Sequence, residues 1–216
     1  GRERTIGCVI EVAANMFEPG VIQQQAPIWF AIGALHEATQ GRIGTVEEVM
    51  KAAGTVMVTD DIRSAKWMKL VANASELVPS AILNLPLAEA IAVPDMHGFM
   101  LRAGEEAART AVALGHRLMP IFGVADVRDS SPEAYAAELL NGVLADYTLP
   151  DTRTTVLQDW MKGRRAEVNE INGLVVRAQE AVGGQAPANA RVVEVALRIE
   201  SGELDADPSN VRLLLA

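Results

Sequence analysis

The chain has 216 residues, half of them hydrophobic, with 22% charged and 4% aromatic, a composition that excludes a disordered polymer and suffices for a sizeable core. Nineteen Lys and Arg stand against 28 Asp and Glu, a net charge of −9, so the basic patch and stacking aromatics of a nucleic-acid binder are missing. The one cysteine, Cys8, cannot form an internal disulfide and reads as a small core residue in a β-like run. No signal-peptide pattern opens the chain, and the apolar stretch 77–87 is interrupted by Pro79, Asn84 and Pro86. The expectation is a soluble, cytoplasmic protein without a membrane span.

In chain order, the first sixty residues are rich in strand signals. Runs at 6–16, 20–25 and 28–35 are β-branched or aromatic and are separated by "EPG" and "AP" turns. A helix is expected over 45–54, with Thr45 as N-cap, Glu48 three residues on and Gly54 at its end. A short strand follows at 55–61, giving β-β-β-α-β, too little to close a sheet of its own. From Asp61 onward the apolar spacing is helical, over 61–92, 95–118, 132–146, 153–183 and 187–200. In the fourth of these, Val168, Ile171, Leu174, Val175, Ala178 and Val182 form one stripe, closed by Gly183 and Gly184. Ser131 reads as an N-cap with Pro132 behind it, after a polar loop that begins near Asp126. The fold class is therefore mainly α: a strand-rich segment over residues 1–60, then an all-helical domain over 61–216. Helical domains of this size often bury their stripes across a dimer interface, so a homodimer is expected.

Two constellations carry chemistry. In "KWMKLVAN", Lys69 lies among Trp67, Met68, Leu70 and Val71, and Asn73 follows one turn later on the same face. A lysine in a poorly hydrated place can hold an anion and give up a proton near neutral pH. The plainer reading is that it snorkels to solvent or to a carboxylate. The second constellation spans 152–178. Thr154 and Thr155 open a short helix, Gly163 ends it, and Glu167 stands near the start of the next, behind Arg164 and Arg165. On one straight helix Thr155 and Glu167 would be about 18 Å apart, whereas a break at Gly163 lets both face one cleft. The plainer reading makes Glu167 a carboxylate stabilised by a helix dipole and neighbouring arginines. His36, His97 and His116 lack metal-ligand spacing, and no metal is expected. The helix over 104–116 reads as amphipathic with solvated charges.

Together these stretches resemble the C-terminal domain of the ketopantoate reductase (2-dehydropantoate 2-reductase) family. Trp67, Lys69, Leu70 and Asn73 match its W-x-K-L-x-x-N. Gln158, Asp159, Gly163, Arg164, Glu167, Ile171, Asn172, Gly173, Pro187 and Asn189 match its later motif, and the turn at 18–22 is similar to the last strands of its nucleotide-binding domain. The resemblance implies a helical domain like the C-terminal domain of 6-phosphogluconate dehydrogenase, preceded by strands left from a truncated Rossmann-type domain. It also implies reduction of a 2-oxo acid by NADPH. Lys69 would be the general acid, Asn73 and Thr155 would bind substrate, and Glu167 and Ala14 would lie beside the cofactor.

The chain also departs from that family. No two of its 17 glycines are spaced as G-x-G, so the pyrophosphate loop is absent and the isolated chain is expected to bind NADPH poorly and turn over negligibly. Leu77 and Leu87 stand where the family has asparagines, which implies a more apolar or differently shaped acid than ketopantoate. The rival reading is a non-catalytic helical module, kept for dimerisation or regulation.

Overall fold

The computed structural model describes residues 1–122 and 130–216, and the backbone alone at Phe17. The expected polar loop at 126–129 lies outside the described residues. Five strands come first: β1 (Ile6–Glu11), β2 (Ala14–Glu18), β3 (Val21–Gln24), β4 (Trp29–Ala34) and β5 (Thr55–Val58). The run expected as one strand over 6–16 is two, bent at Val12 and Ala13. β1 pairs antiparallel with β4, and β4 parallel with β5, while β2 and β3 form a separate hairpin. Gly20 turns that hairpin at φ 83°, a conformation that costs glycine nothing.

Between β4 and β5 lie α1 (Glu37–Gln40) and α2 (Ile43–Lys51). The helix expected from Thr45 starts two residues earlier, with Arg42 as its cap. Burial of Ile43 draws the backbone into the helix before the Thr45 signal is reached.

The helical part comprises α3 (Ile62–Ile82), α4 (Leu87–Ala92), α5 (Met96–Ala113), α6 (Pro132–Asp146), α7 (Thr155–Met161), α8 (Asn172–Ala181), α9 (Pro187–Glu200) and α10 (Val211–Leu214). The bounds of α6 and α9 are those expected from sequence, each with its proline in the first turn, and the Ser131 hydroxyl accepts from the Ala134 amide. The segment expected as 61–92 divides because Asn84 takes a left-handed φ of 54° and Pro86 must open a new helix. The segment expected as 153–183 divides at Gly163, φ 66°. Because helix resumes only at Asn172, the expected stripe is wrong in part: Val168, Ile171 and Val175 are buried, but Leu174 and Val182 are exposed.

Helix α3 is the central element. Asp61 caps it by accepting from the Ser64 amide at 3.0 Å and the Ser64 hydroxyl at 2.6 Å. Burial alone would raise the Asp61 carboxyl, but these bonds and the Arg117 guanidinium hold it below its ordinary range. Met68, Val71, Ala74, Val78 and Ala81 are buried on α3, and small residues of α5 (Ala103, Ala107, Ala111) let the two helices approach closely. β1 also packs against α3, which brings the strand-rich part to the helix that carries Lys69.

Candidate active site

Lys69 leaves α3 toward the sheet, where its amine forms an ion pair with the carboxylate of Glu11 at the end of β1. The two side chains keep 24% and 15% of their surface in solvent, so neither charge is fully desolvated. The amine also lies 5.0 Å from the centre of the Phe122 ring. Phe122 is itself held edge-on by Trp29, 5.3 Å between centroids, and against Tyr147 at 5.5 Å. It adopts φ 56°, a strained backbone for an aromatic residue. Snorkelling to a carboxylate is thus part of what Lys69 does, but the carboxylate lies in a crevice and not in bulk water.

That crevice is a cavity of about 280 Å³ between β1–β2, α3 and the segment around Thr154. Ala14, Lys69, Asn73, Thr155 and Glu167, the five residues singled out in sequence, all line it, as do Leu77 and Leu87. The Oδ1 atom of Asn73 is buried and has no hydrogen-bond partner among the described residues. Of the two threonines, Thr154 donates to the Leu77 carbonyl at 3.0 Å and is spent on holding α7 to α3. Thr155, the next residue, is exposed and lines the cavity. Gln158 donates to Asn15 Oδ1 at 2.7 Å and to the Arg153 carbonyl at 2.9 Å, fixing β2, and with it Ala14, to α7.

The break at Gly163 returns the chain so that Thr155 and Glu167 face the same space. Glu167 lies in the irregular segment five residues before α8, not on a helix terminus. The two arginines before it are engaged elsewhere, Arg165 with Glu200 at 3.5 Å and Arg164 with Asp159 at 3.9 Å. The helix-dipole reading of Glu167 therefore lacks both of its supports.

Two acids in the cavity were not picked out as candidates in sequence. Glu11 lies 58 residues from Lys69, a contact that no local pattern reveals. Glu76 could have been found, since seven residues on a helix return to within about 20° of the same face. It is 6% exposed, and burial pushes its carboxyl up to about 8, with Lys69 pulling down and Glu11 pushing up. Arg153 and Tyr147 complete the charged and phenolic lining.

Several motif residues turn out to hold the fold. Asn172 donates to the Ala74 carbonyl and to Asn189 Oδ1, both at 2.9 Å; Asn189 in turn donates to the Ala103 carbonyl at 3.0 Å and to Glu106 at 2.8 Å. Glu106 also accepts from the amides of Ala188 and Asn189 at the start of α9. The expectation of merely solvated charges over 104–116 is corrected at this position. Among the described residues no cluster of His, Cys, Asp or Glu could hold a metal ion, and no helix is long and apolar enough to cross a membrane.

This geometry can now be set beside known proteins. The family profile described as ketopantoate reductase PanE/ApbA C terminal matches residues 61–200. The chain belongs to the ketopantoate reductase family. A 2-dehydropantoate 2-reductase of Archaeoglobus fulgidus is 23% identical over 200 residues, covering 92% of this chain and 62% of its own. The crystal structure of a PanE/ApbA family ketopantoate reductase from Ralstonia eutropha JMP134 is similar at a TM-score of 0.72 and 26% identity, over 92% of this chain and 60% of that one. D-mandelate dehydrogenase, solved with NADH and anilino(oxo)acetate, shares the fold at a TM-score of 0.78 and 17% identity, over 93% and 62%. This member of the ketopantoate reductase family thus spans about three fifths of the length of such relatives.

Proposed function

We propose that the protein reduces the ketone of a 2-oxo acid to the 2-hydroxy acid, using NADPH, in the cavity beside Lys69. The observation that carries this reading is that Lys69, Asn73, Thr155 and Glu167 all line one small space. The kinship with 2-dehydropantoate 2-reductases supports it. The neighbour solved with NADH and anilino(oxo)acetate supports the coarser reaction class, a 2-oxo acid with a nicotinamide cofactor.

The chain's residues fit the reacting end of such a cofactor. Ala13 and Ala14 present small side chains at the cavity, and Glu167 would lie beside the bound cofactor. A glycine loop for the pyrophosphate is not among these residues. The bound cofactor would supply the hydride. Lys69 would give its proton to the carbonyl oxygen as negative charge develops there, and its position in a half-dehydrated crevice strengthens that interaction. Glu11 would hold the amine in place in the absence of substrate. Asn73 and Thr155 would bind the carboxylate end, and Leu77, Leu87 and Val143 give the tail an apolar wall, as expected for an acid other than ketopantoate itself. The test is NADPH oxidation by the full-length protein across a panel of 2-oxo acids. At least one should be reduced at an ordinary enzymatic rate, and no turnover with any of them would overturn the reading.

A further inference from the structure

Lys69, Asn73 and Glu76 share one face of α3, and all three line the cavity. Seven residues separate the first from the last, an axial rise of roughly 10 Å. The Glu76 side chain is 6% exposed and makes no hydrogen bond to protein among the described residues; only its backbone carbonyl is used, accepting from Ser80 at 2.7 Å. A buried acid without a partner costs stability, so a carboxyl aimed into a cavity with nothing to bind suggests that a ligand completes it. Leu77, beside it, cannot.

We infer that Glu76 is the specificity-determining residue of this cavity, its carboxylic acid O–H donating a hydrogen bond to an oxygen on the tail of the 2-oxo acid. This rests on the reductase reading above. Lys69 and Glu76 line the same cavity, so one small acid can meet both, its ketone at the amine and its tail at the carboxyl. The acid is kept neutral by burial, which pushes it up to about 8, so it acts as a donor at neutral pH and does not pair with a cation. The charged and titratable groups around it are Lys69 on α3, Glu11 on β1, and Tyr147, Arg153 and Glu167 on the segments that close the cavity.

The test uses the full-length protein with NADPH and 2-oxo acids matched in length, one with a C4 or C5 methoxy group whose oxygen can only accept, one aliphatic, one bearing an amine. The wild type should favour the methoxy acid over the aliphatic one by roughly tenfold in kcat/KM, the worth of one hydrogen bond. Glu76→Leu should bring that ratio close to one, and Glu76→Gln, which retains a donor, should restore it. The wild-type ratio should fall as pH rises through about 8, and the Glu76→Gln ratio should not, which separates Glu76 from its titrating neighbours. If Glu76→Leu does not fold, the two pH profiles decide. Equal ratios in wild type and Glu76→Leu, parallel pH profiles, or a preference for the amine would overturn the assignment while 2-oxo acid reduction stands. Failure to reduce any 2-oxo acid would remove the reductase reading, and this assignment with it.

Discussion

The amine of Lys69 and the carboxylate of Glu11 join the central helix α3 to strand β1 across the cavity. The pair links the strand-rich part of the chain to the helical part, and it holds the proposed proton donor in place before substrate arrives. Glu11→Gln should therefore do two things. It should cost about 1–2 kcal/mol of stability, less than a fully buried pair because both side chains keep some solvent, and it should lower kcat more than it raises KM. Urea unfolding and steady-state kinetics read the two effects. A variant with unchanged kcat would make the pair purely structural.

Glu76 gives the stability a distinct pH dependence. Unfolded, it ionises near its ordinary value of 4.5; folded, it holds its proton up to about 8. Between these values the native state carries one proton more than the unfolded chain, so stability falls as pH rises, by at most ~1.4 kcal/mol per unit. The contribution is fully present below 4.5 and gone above 8. Denaturant midpoints measured across this window should slope downward in the wild type and more gently in Glu76→Gln. Superimposable curves would contradict the buried neutral acid.

The Asn172–Asn189–Glu106 network should matter for folding and not for chemistry. Asn189→Ala removes the acceptor of one Asn172 N–H and the side-chain donor to the Ala103 carbonyl and Glu106, all buried or partly so, and should cost roughly 2–4 kcal/mol. Activity per folded molecule, measured well below the melting transition, should stay close to wild type. Loss of activity at full stability would place Asn189 in the site instead.

Thr155 and Thr154 should separate in the same way. Thr155→Val removes a hydroxyl from the cavity lining and should raise KM for the 2-oxo acid by roughly tenfold with little change in melting temperature, while Thr155→Ser should be mild. Thr154→Val instead removes a bond to the Leu77 carbonyl and should act mainly on stability. The opposite pattern would exchange their roles.

Much of this arrangement was legible in the sequence because it depends on local rules. Ser131 and Pro132, and Pro187, mark helix starts by capping and by fixed φ, and α6 and α9 begin as those residues require. Lys69 and Asn73 stood out as polar groups on an otherwise apolar helix. Thr45 misled because a capping pattern can sit inside a helix whose start is set by burying Ile43. The bend at Val12 and Ala13 carries no glycine or proline, so nothing local announced it. Glu11 was out of reach because its partner is distant in sequence, whereas Glu76 was within reach of helical spacing but was not placed as a third residue on the lysine's face. Gly163 was read correctly as a break, but the segment after it is irregular as far as Asn172, and the stripe drawn through Leu174 failed for that reason.

The central claim is that the Lys69 amine supplies the proton to the reduced ketone. The measurement that tests it most directly is kcat of Lys69→Met in the full-length protein, with the 2-oxo acid that the wild type reduces best, alongside circular dichroism and a melting curve. The account requires a loss of at least 10²-fold in kcat with the helical signal retained. Turnover within a few-fold of wild type in a folded Lys69→Met protein would contradict it.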